Sequence, residues 1–447
     1  MNVLLVYPHK KDIYHRIGFV LPPMGLAYVA AALRRAGHDV RILDFNVSAE
    51  KADFGKYDVV GISMDTHRFK SGLAVAKEAK AAGAVVMAGG AHVTFMDEEA
   101  LKSGSVDYVV RGEGEQTAVD LLGALSGGDP AQVKGISFLR DGNLIRTPQR
   151  GFIEDLDGLL PARDLLKLHL YRSLEMGKRK ITPVVTSRGC PYTCSFCASS
   201  EVSGKKWRPR SPEKVVDEVE AVVRDYGFNG IAFLDDNFSL SPQRVFAICE
   251  GILKRGLDIY WWCCSRADML LRNEPMVKKM SEAGCKYVFV GFESGDQKTL
   301  DKYKKGTEGK AAKEVVELLR AYGISVHGSF IIGAVEETEE MVMNTIGYAK
   351  DINPQAVQFS LLTPYPGTRL YEEVKDRIAT DDWDLYDCMH PVLKCEHLSR
   401  KDLARLLRKA YMSVYLSPKK LMAGLLSGLR GRGVRLGSIA KIIRGLG

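Results

Sequence analysis

Two series of short apolar runs, each alternating with amphipathic stretches, set the limits on what this 447-residue chain can become. In the first, Val3–Tyr7, Val40–Asp44, Val59–Met64, Ala84–Gly89 and Tyr108–Arg111 read as strands. Helical patterns such as Gly25–Ala36 and Ser71–Ala81 lie between them. Short buried runs alternating with helices predict a doubly wound parallel sheet, covered on both faces, with its ligand site at the carboxyl ends of the strands. A β-hairpin, Ile136–Arg140 and Leu144–Thr147 around Asp141-Gly142, breaks the rhythm. An acidic, proline-containing stretch follows and reads as a linker. From about residue 181 the rhythm resumes, with strands at Val184–Thr186, Ile231–Leu234, Ile259–Cys263, Tyr287–Gly291, Val326–Ile332 and Val357–Leu361. Helical patterns at Pro212–Arg224, Pro242–Arg255, Pro275–Ala283, Lys310–Tyr322 and Thr338–Lys350 separate them. Six such units predict a partial (β/α)6 barrel related to the eight-unit one. The expected domains are 1–150, a linker 151–180, the barrel 181–370, and a C-terminal region 371–447 with a helical tail.

Composition narrows the class. No stretch approaches the roughly 18 consecutive apolar residues of a membrane-spanning helix. The N-terminus opens on Met1-Asn2-Val3-Leu4 without the pattern of a secretory leader, so a cytoplasmic location is expected. The formal net charge of +8 is local: from Met412 onward there is no Asp or Glu but many Lys and Arg. That tail, 416–447, suits either an anionic membrane surface or solvent. Nucleic acid is not expected as a partner, since no aromatic residue interleaves with the basic ones after Tyr415.

None of the nine cysteines lies in the first 189 residues, and three fall within eight, in Ser187-Arg188-Gly189-Cys190-Pro191-Tyr192-Thr193-Cys194-Ser195-Phe196-Cys197. In a long chain without a secretory leader, such clustering favours metal binding or catalysis over a disulfide framework. Structural zinc wants four ligands, and no fourth Cys or His is near. A 4Fe-4S cluster on Cys190, Cys194 and Cys197 would leave one iron open.

With this CxxxCxxC spacing and Phe196 before its last cysteine, the chain resembles the radical S-adenosylmethionine enzymes. The resemblance implies that the open iron chelates S-adenosylmethionine, whose reductive cleavage gives a 5′-deoxyadenosyl radical, with electrons from an external one-electron reductant. It also implies cofactor contacts at successive strand ends. These are Asp235, Asp236 and Asn237 for the methionine amino group, Ser265 and Arg266 for its carboxylate, Glu293 and Ser294 for the ribose. The segment Gly328–Gly333, including Ile332, would lie against adenine. An ordinary helix cap at Asp235–Asn237 and simple close packing at the strand glycines are the plainer alternatives.

The first 150 residues resemble the cobalamin-binding domain that precedes one large subfamily of these enzymes. The matching residues are Pro22-Pro23-Met24-Gly25-Leu26, Gly89-Gly90-Ala91-His92-Val93-Thr94 and Arg111-Gly112-Glu113-Gly114-Glu115. Ser63, Asp65 and His67, after the third strand, join them as candidate contacts. Paired glycines at strand ends let a nucleotide-like tail approach the backbone. The DxHxxG motif by which many cobalamin proteins supply a histidine to cobalt is absent: Asp12 and His15 have one residue too many between them, and Gly72 lies too far from Asp65-Thr66-His67.

Cys249 and Cys285 read as small buried residues in helical patterns, Cys263 and Cys264 as a strand end near the barrel cavity. The resemblance implies a cobalamin-dependent methyltransferase acting on an unactivated carbon of a small molecule, with a lipid or a tetrapyrrole as the candidate substrate class. Its rivals are a radical cyclisation, dehydration or rearrangement on the same build, with or without cobalamin, and a non-catalytic iron–sulfur sensor.

Overall fold

The structure is a computed structural model that describes residues 1–9, 20–171, 180–306, 311–417 and 420. Its first sheet grows from strands whose residues are buried on both faces. In β1 (Asn2–Tyr7) the run Val3–Val6 is buried throughout, which suits the centre of a parallel sheet. Around it lie β2 (Asp39–Asp44), β3 (Val59–Ser63), β4 (Val85–Gly89) and β5 (Tyr108–Val110), all parallel. The antiparallel hairpin β6 (Ile136–Arg140) and β7 (Asn143–Arg146) extends the far edge. The order β2-β1-β3-β4-β5-β6-β7 puts β1 between two strands reached by connections on opposite sides, and the crevice opens where that order reverses.

The second sheet has six parallel strands in chain order: β8 (Ile181–Val184), β11 (Gly230–Phe233), β12 (Tyr260–Ser265), β13 (Cys285–Glu293), β14 (Ser325–Ile332) and β15 (Ala356–Leu361). This is the partial barrel expected. Two-residue strands β9 (Ser187–Arg188) and β10 (Arg208–Pro209) pair antiparallel and close the neck of the loop that carries the three clustered cysteines. The outer helices pack on alternate strand residues. Trp261 and Cys263 are fully buried in that core, whereas Trp262 and Cys264 on the other face are half-buried. Ser211 and Ser241 cap helices Pro212–Arg224 and Pro242–Lys254, each with proline in its first turn.

An open barrel leaves an edge, and here hydroxyls cover it. In helix Arg400–Tyr415, Tyr411 Oη donates to Phe359 O at 2.9 Å and accepts from Phe359 N at 3.2 Å. Four residues on, Tyr415 Oη does the same for Val357, at 2.8 and 2.9 Å. One helical turn thus matches two residues of β15, and the edge amides that would recruit another strand are satisfied. The C-terminal region also reaches the first sheet. Trp383, Tyr386 and Val392 join the core on one of its faces, and Trp383 Nε1 donates to Glu99 at 2.9 Å.

Three expectations need correction. Cys285 opens strand β13 rather than sitting in a helix. The first barrel strand ends at Val184, because Thr186 N turns away to the Asp235 carboxylate. The stretch after the hairpin is anchored: Ala162 and Leu166 are buried in the first core, and Arg163 donates to Pro183 O and Glu218 at 2.6 Å. His15 and the basic tail beyond Ser417, apart from Lys420, lie outside the described residues. No described helix is long and apolar enough to cross a membrane.

Candidate functional site

Gly189 sets the path into the cysteine loop. Its φ is +85°, and a Cβ there would lie 2.3 Å from Lys206 O, so only glycine fits. Beyond it, Cys190 N donates to Gly204 O at 3.1 Å and Cys197 N to Cys194 O at 3.2 Å. Ser195 N donates to Tyr303 O at 3.1 Å, and the Phe196 and Tyr303 rings meet edge-on at 5.2 Å. All nine cysteines are free. Burial pushes the Cys190 and Cys194 thiols up, so a cation is needed to hold them as thiolates. Among the described residues no three His, Cys, Asp or Glu side chains converge on a single-ion site. Three thiols on one loop, each free to take a different iron, fit a 4Fe-4S cluster.

Below this loop the barrel mouth holds buried charge. Arg266 lies 3.8 Å from the Tyr192 ring centre, pairs with Asp268 at 3.0 Å and donates to Lys305 O at 2.8 Å. Lys305 Nζ in turn pairs with Glu293 at 2.7 Å, and both residues are buried. Burial would lower the Lys305 ammonium, but Glu293 more than offsets it and the net shift is upward. Glu293 adopts φ +63°, a left-handed conformation that a non-glycine residue holds only against strain, at a break in the β13–β14 register. Both cations act on Cys194, lowering its thiol against the effect of burial.

The polar trio after β11 divides its work. Asp235 accepts from Thr186 N at 2.7 Å, Thr186 Oγ1 at 2.5 Å and Ser187 Oγ at 2.6 Å, which ties it to the root of the cysteine loop. Asp236 instead opens onto a cavity; burial by its surroundings raises its carboxyl, while Ser199 and the Gly189 amide bond to it. Asn237 Oδ1 accepts from Ser239 at 3.1 Å, and its Nδ2 is buried without a partner, a donor that an acceptor on a bound group would satisfy. Ser265 bonds Ser239, and Ser294 bonds Thr345 at 3.2 Å. Ile332 is buried in the core.

The cavity, of about 350 Å³, lies between the carboxyl ends of the two sheets. Its floor is Leu5, Gly61 and Met87, neighbours in register across β1, β3 and β4. A Cβ on Gly61 would fall 2.6 Å from Leu5 Cδ2 and 2.7 Å from Met87 Cε, so the hollow depends on a bare backbone. Met24, Gly25, Ser63, Gly89, Gly90, Gly112 and Glu113 line it, as do Ser187, Arg188 and Asp236 from the barrel. A deep, mostly apolar hollow with glycines at its strand ends fits a nucleotide-like tail.

The remaining candidates stand apart from it. Pro23 precedes helix Met24–Arg35 at its cap position. Asp65 caps the turn Thr66–Arg68 and pairs with Arg68, and His67 lies 3.8 Å from Asp65. His92 is buried between Phe69 and Trp383, ring centres 4.4 and 4.7 Å away, and burial lowers its imidazole to about 4. Arg111 donates to Thr147 O and Ile136 O. Of the residues the sequence did not single out, Lys305 carries the most charge into the site. It follows Lys304 at the end of a short helix, where a lysine pair reads as solvated surface.

Comparison with known proteins agrees with this division. The B12 binding domain family matches residues 10–122, and the Radical SAM superfamily matches residues 184–349. The chain is 38% identical over 437 residues to an uncharacterized methyltransferase of Pyrococcus horikoshii, covering 94% of each. It is 31% identical to the anaerobic magnesium-protoporphyrin IX monomethyl ester cyclase of Rubrivivax gelatinosus, covering 93% of this chain and 78% of that one. In fold it is similar to the cobalamin-dependent S-adenosylmethionine radical enzyme OxsB, solved with aqua-cobalamin and S-adenosylmethionine bound. There the TM-score is 0.76 at 18% identity, over 99% of this chain and 70% of that one.

Proposed function

The chain belongs to the radical S-adenosylmethionine enzymes that carry a B12-binding domain, and from that premise we propose that it methylates an unactivated carbon of a small molecule. The observation that carries this reading is the shared cavity, lined at once by the glycine-rich ends of β4 and β5 and by the root of the cysteine loop. Its cofactors are a 4Fe-4S cluster, S-adenosylmethionine and cobalamin. When bound, the cluster supplies the electron that cleaves S-adenosylmethionine, and cobalamin supplies the methyl group.

The chain's own residues bind, orient and exclude water. Cys190, Cys194 and Cys197 hold three irons. Arg266 and Lys305 would present positive charge to the methionine carboxylate and Asp236 would face its ammonium, while the buried Asn237 Nδ2 is a donor for an acceptor oxygen of the bound group. Glu293, held by Lys305, would reach the ribose and Phe196 would lie against adenine, whereas Ile332, buried in the core, supports β14 from behind. Asp235, Ser265 and Ser294 brace these residues rather than touch the cofactor. Gly61, Gly89, Gly90 and Gly112 admit the cobalamin tail and keep its hollow dry.

The substrate class this reading favours is a lipid or tetrapyrrole. Electrons come from an external one-electron reductant. The expected setting is cytoplasmic, and the basic sequence 416–447 would suit either an anionic membrane surface or solvent. A radical cyclisation is the second reading, because a relative 31% identical carries the name of a cyclase. The test is to purify the protein without oxygen, reconstitute iron and sulfide, and read bound cobalamin from its absorption spectrum. Stoichiometric cobalamin, with label from methyl-labelled S-adenosylmethionine leaving in a small-molecule product, is the expected result. Cluster-loaded protein that cleaves S-adenosylmethionine but holds no cobalamin moves the assignment to cyclisation or rearrangement.

A further inference from the structure

Four charges, Arg208 and Glu115 buried and Arg188 and Glu113 half-buried, join the two sheets at the neck of the cysteine loop. Arg188, two residues ahead of Cys190, donates to Glu113 at 2.9 Å and to Glu115 at 2.6 Å. Arg208, its partner across the β9–β10 pair, donates to both Glu113 oxygens at 3.0 Å. Glu113 also accepts from Ile153 N at 2.6 Å. The Arg208 side chain is 1% exposed and that of Glu115 is 7% exposed, so these pairs are little screened by solvent. Both strands that close the cysteine loop therefore hang from two carboxylates after β5, Glu113 on the loop and Glu115 at the first position of helix Glu115–Leu125. Glu113, Glu115 and Arg188 also line the cavity, so whatever fills it touches the clamp itself.

We propose that Glu113 and Glu115 are positioning residues for the iron–sulfur site: through Arg188 and Arg208 they couple occupancy of the cobalamin cavity to the order of the cysteine loop. The inference rests on the cobalamin reading above. Nothing else in the neck explains two carboxylates from the other sheet. Arg208 already has backbone acceptors in Ile153 O at 2.6 Å and Ser203 O at 2.7 Å, enough to hold a hairpin. A carboxylate pair that also faces the cavity adds a link between the two sites, and such a link works in both directions.

Hydrogen exchange on the anaerobically reconstituted full-length protein, with and without hydroxocobalamin, tests this. In the native protein hydroxocobalamin slows exchange across residues 187–209 about tenfold. In the double variant Glu113→Gln/Glu115→Gln the slowing there falls below about twofold, while β3 and β4 stay protected by the ligand. Should the double variant not fold, Glu115→Gln alone frees one arm of Arg188 and leaves Arg208 held, and an intermediate loss is expected. The proposal is overturned if a folded variant keeps the native slowing at 187–209. It is equally overturned if hydroxocobalamin protects β3 and β4 of the native protein but not that segment. Slowing nowhere in the native protein means that cobalamin does not bind, and then the functional reading falls first and this proposal with it.

Discussion

The cavity floor and the barrel mouth bind by opposite means. The floor is made of what is missing: at Gly61 a single Cβ would strike Leu5 and Met87. No charged side chain belongs to it, and it selects by shape. The mouth is made of what is present: three thiols, the buried Glu293–Lys305 pair, and Arg266 beneath Tyr192. On the reading proposed above it would hold its ligands by charge and through iron on its thiols, and Glu293 keeps a left-handed backbone to present its carboxylate there. A site of the first kind tolerates loss of any one polar contact but not added volume. A site of the second kind tolerates modest repacking but not loss of a ligand atom.

The largest break in this contrast is expected from Cys194→Ala. On the proposed assignment it removes one of three cluster ligands, so the visible absorption of the cluster and the release of 5′-deoxyadenosine should fall together to background. Cobalamin binding at the other site persists, weakened only by whatever coupling the neck provides. A variant that keeps both cluster and cleavage would overturn the assignment of the cysteine loop. The converse change, Gly61→Leu, fills the hollow. Overpacking costs about 1–3 kcal/mol of stability, and cobalamin affinity falls by roughly two orders of magnitude. Iron content and spectrum stay native. Titration with hydroxocobalamin checks it, and unchanged affinity would move the cobalamin tail elsewhere.

The same contrast explains what could be read from the chain. The two rhythms, the hairpin and nearly every strand were legible because apolar periodicity is local. The family was legible from the cysteine loop, because three cysteines at that spacing have few other uses. The cavity was half legible: Gly89, Gly90 and Gly112 stand at strand ends, but Gly61 sits mid-strand, where a glycine reads as a flaw rather than a floor. Lys305 and the Arg188–Glu115 pair were illegible. Their partners lie 12 and 73 residues away, and no local pattern records which surface charge will be buried by a distant element. His92 misled in the other direction, since Gly89–Thr94 marks the strand end truly but gives no sign of which way the next helix turns its histidine. The structure lodges it between Phe69 and Trp383, the latter from the far end of the chain.

A finer difference concerns pH. Glu337, just after β14, accepts from Gly333 N and from Ala334 N at 3.0 Å, and its other oxygen is buried without a partner. Burial raises its carboxyl from 4.5 to about 7. Between those values the folded state keeps a proton that the unfolded chain has released. Its contribution to stability is therefore complete below about pH 4.5 and is lost as pH rises through 7. Glutamine keeps an oxygen for the two amides and carries no charge, so Glu337→Gln should equal the native protein near pH 5 and exceed it at pH 8 by about 1–3 kcal/mol. Paired thermal unfolding of native and variant protein at the two pH values reads this directly. Were the two proteins to shift in parallel, the buried carboxyl would not be the origin of the slope. His92 predicts the reverse for the first sheet: an imidazole lowered to about 4 stabilises only while neutral, so that region weakens as pH falls from 6.5 toward 4. The sheet that selects by shape should then fail first in acid, while raising pH should tell first on the barrel.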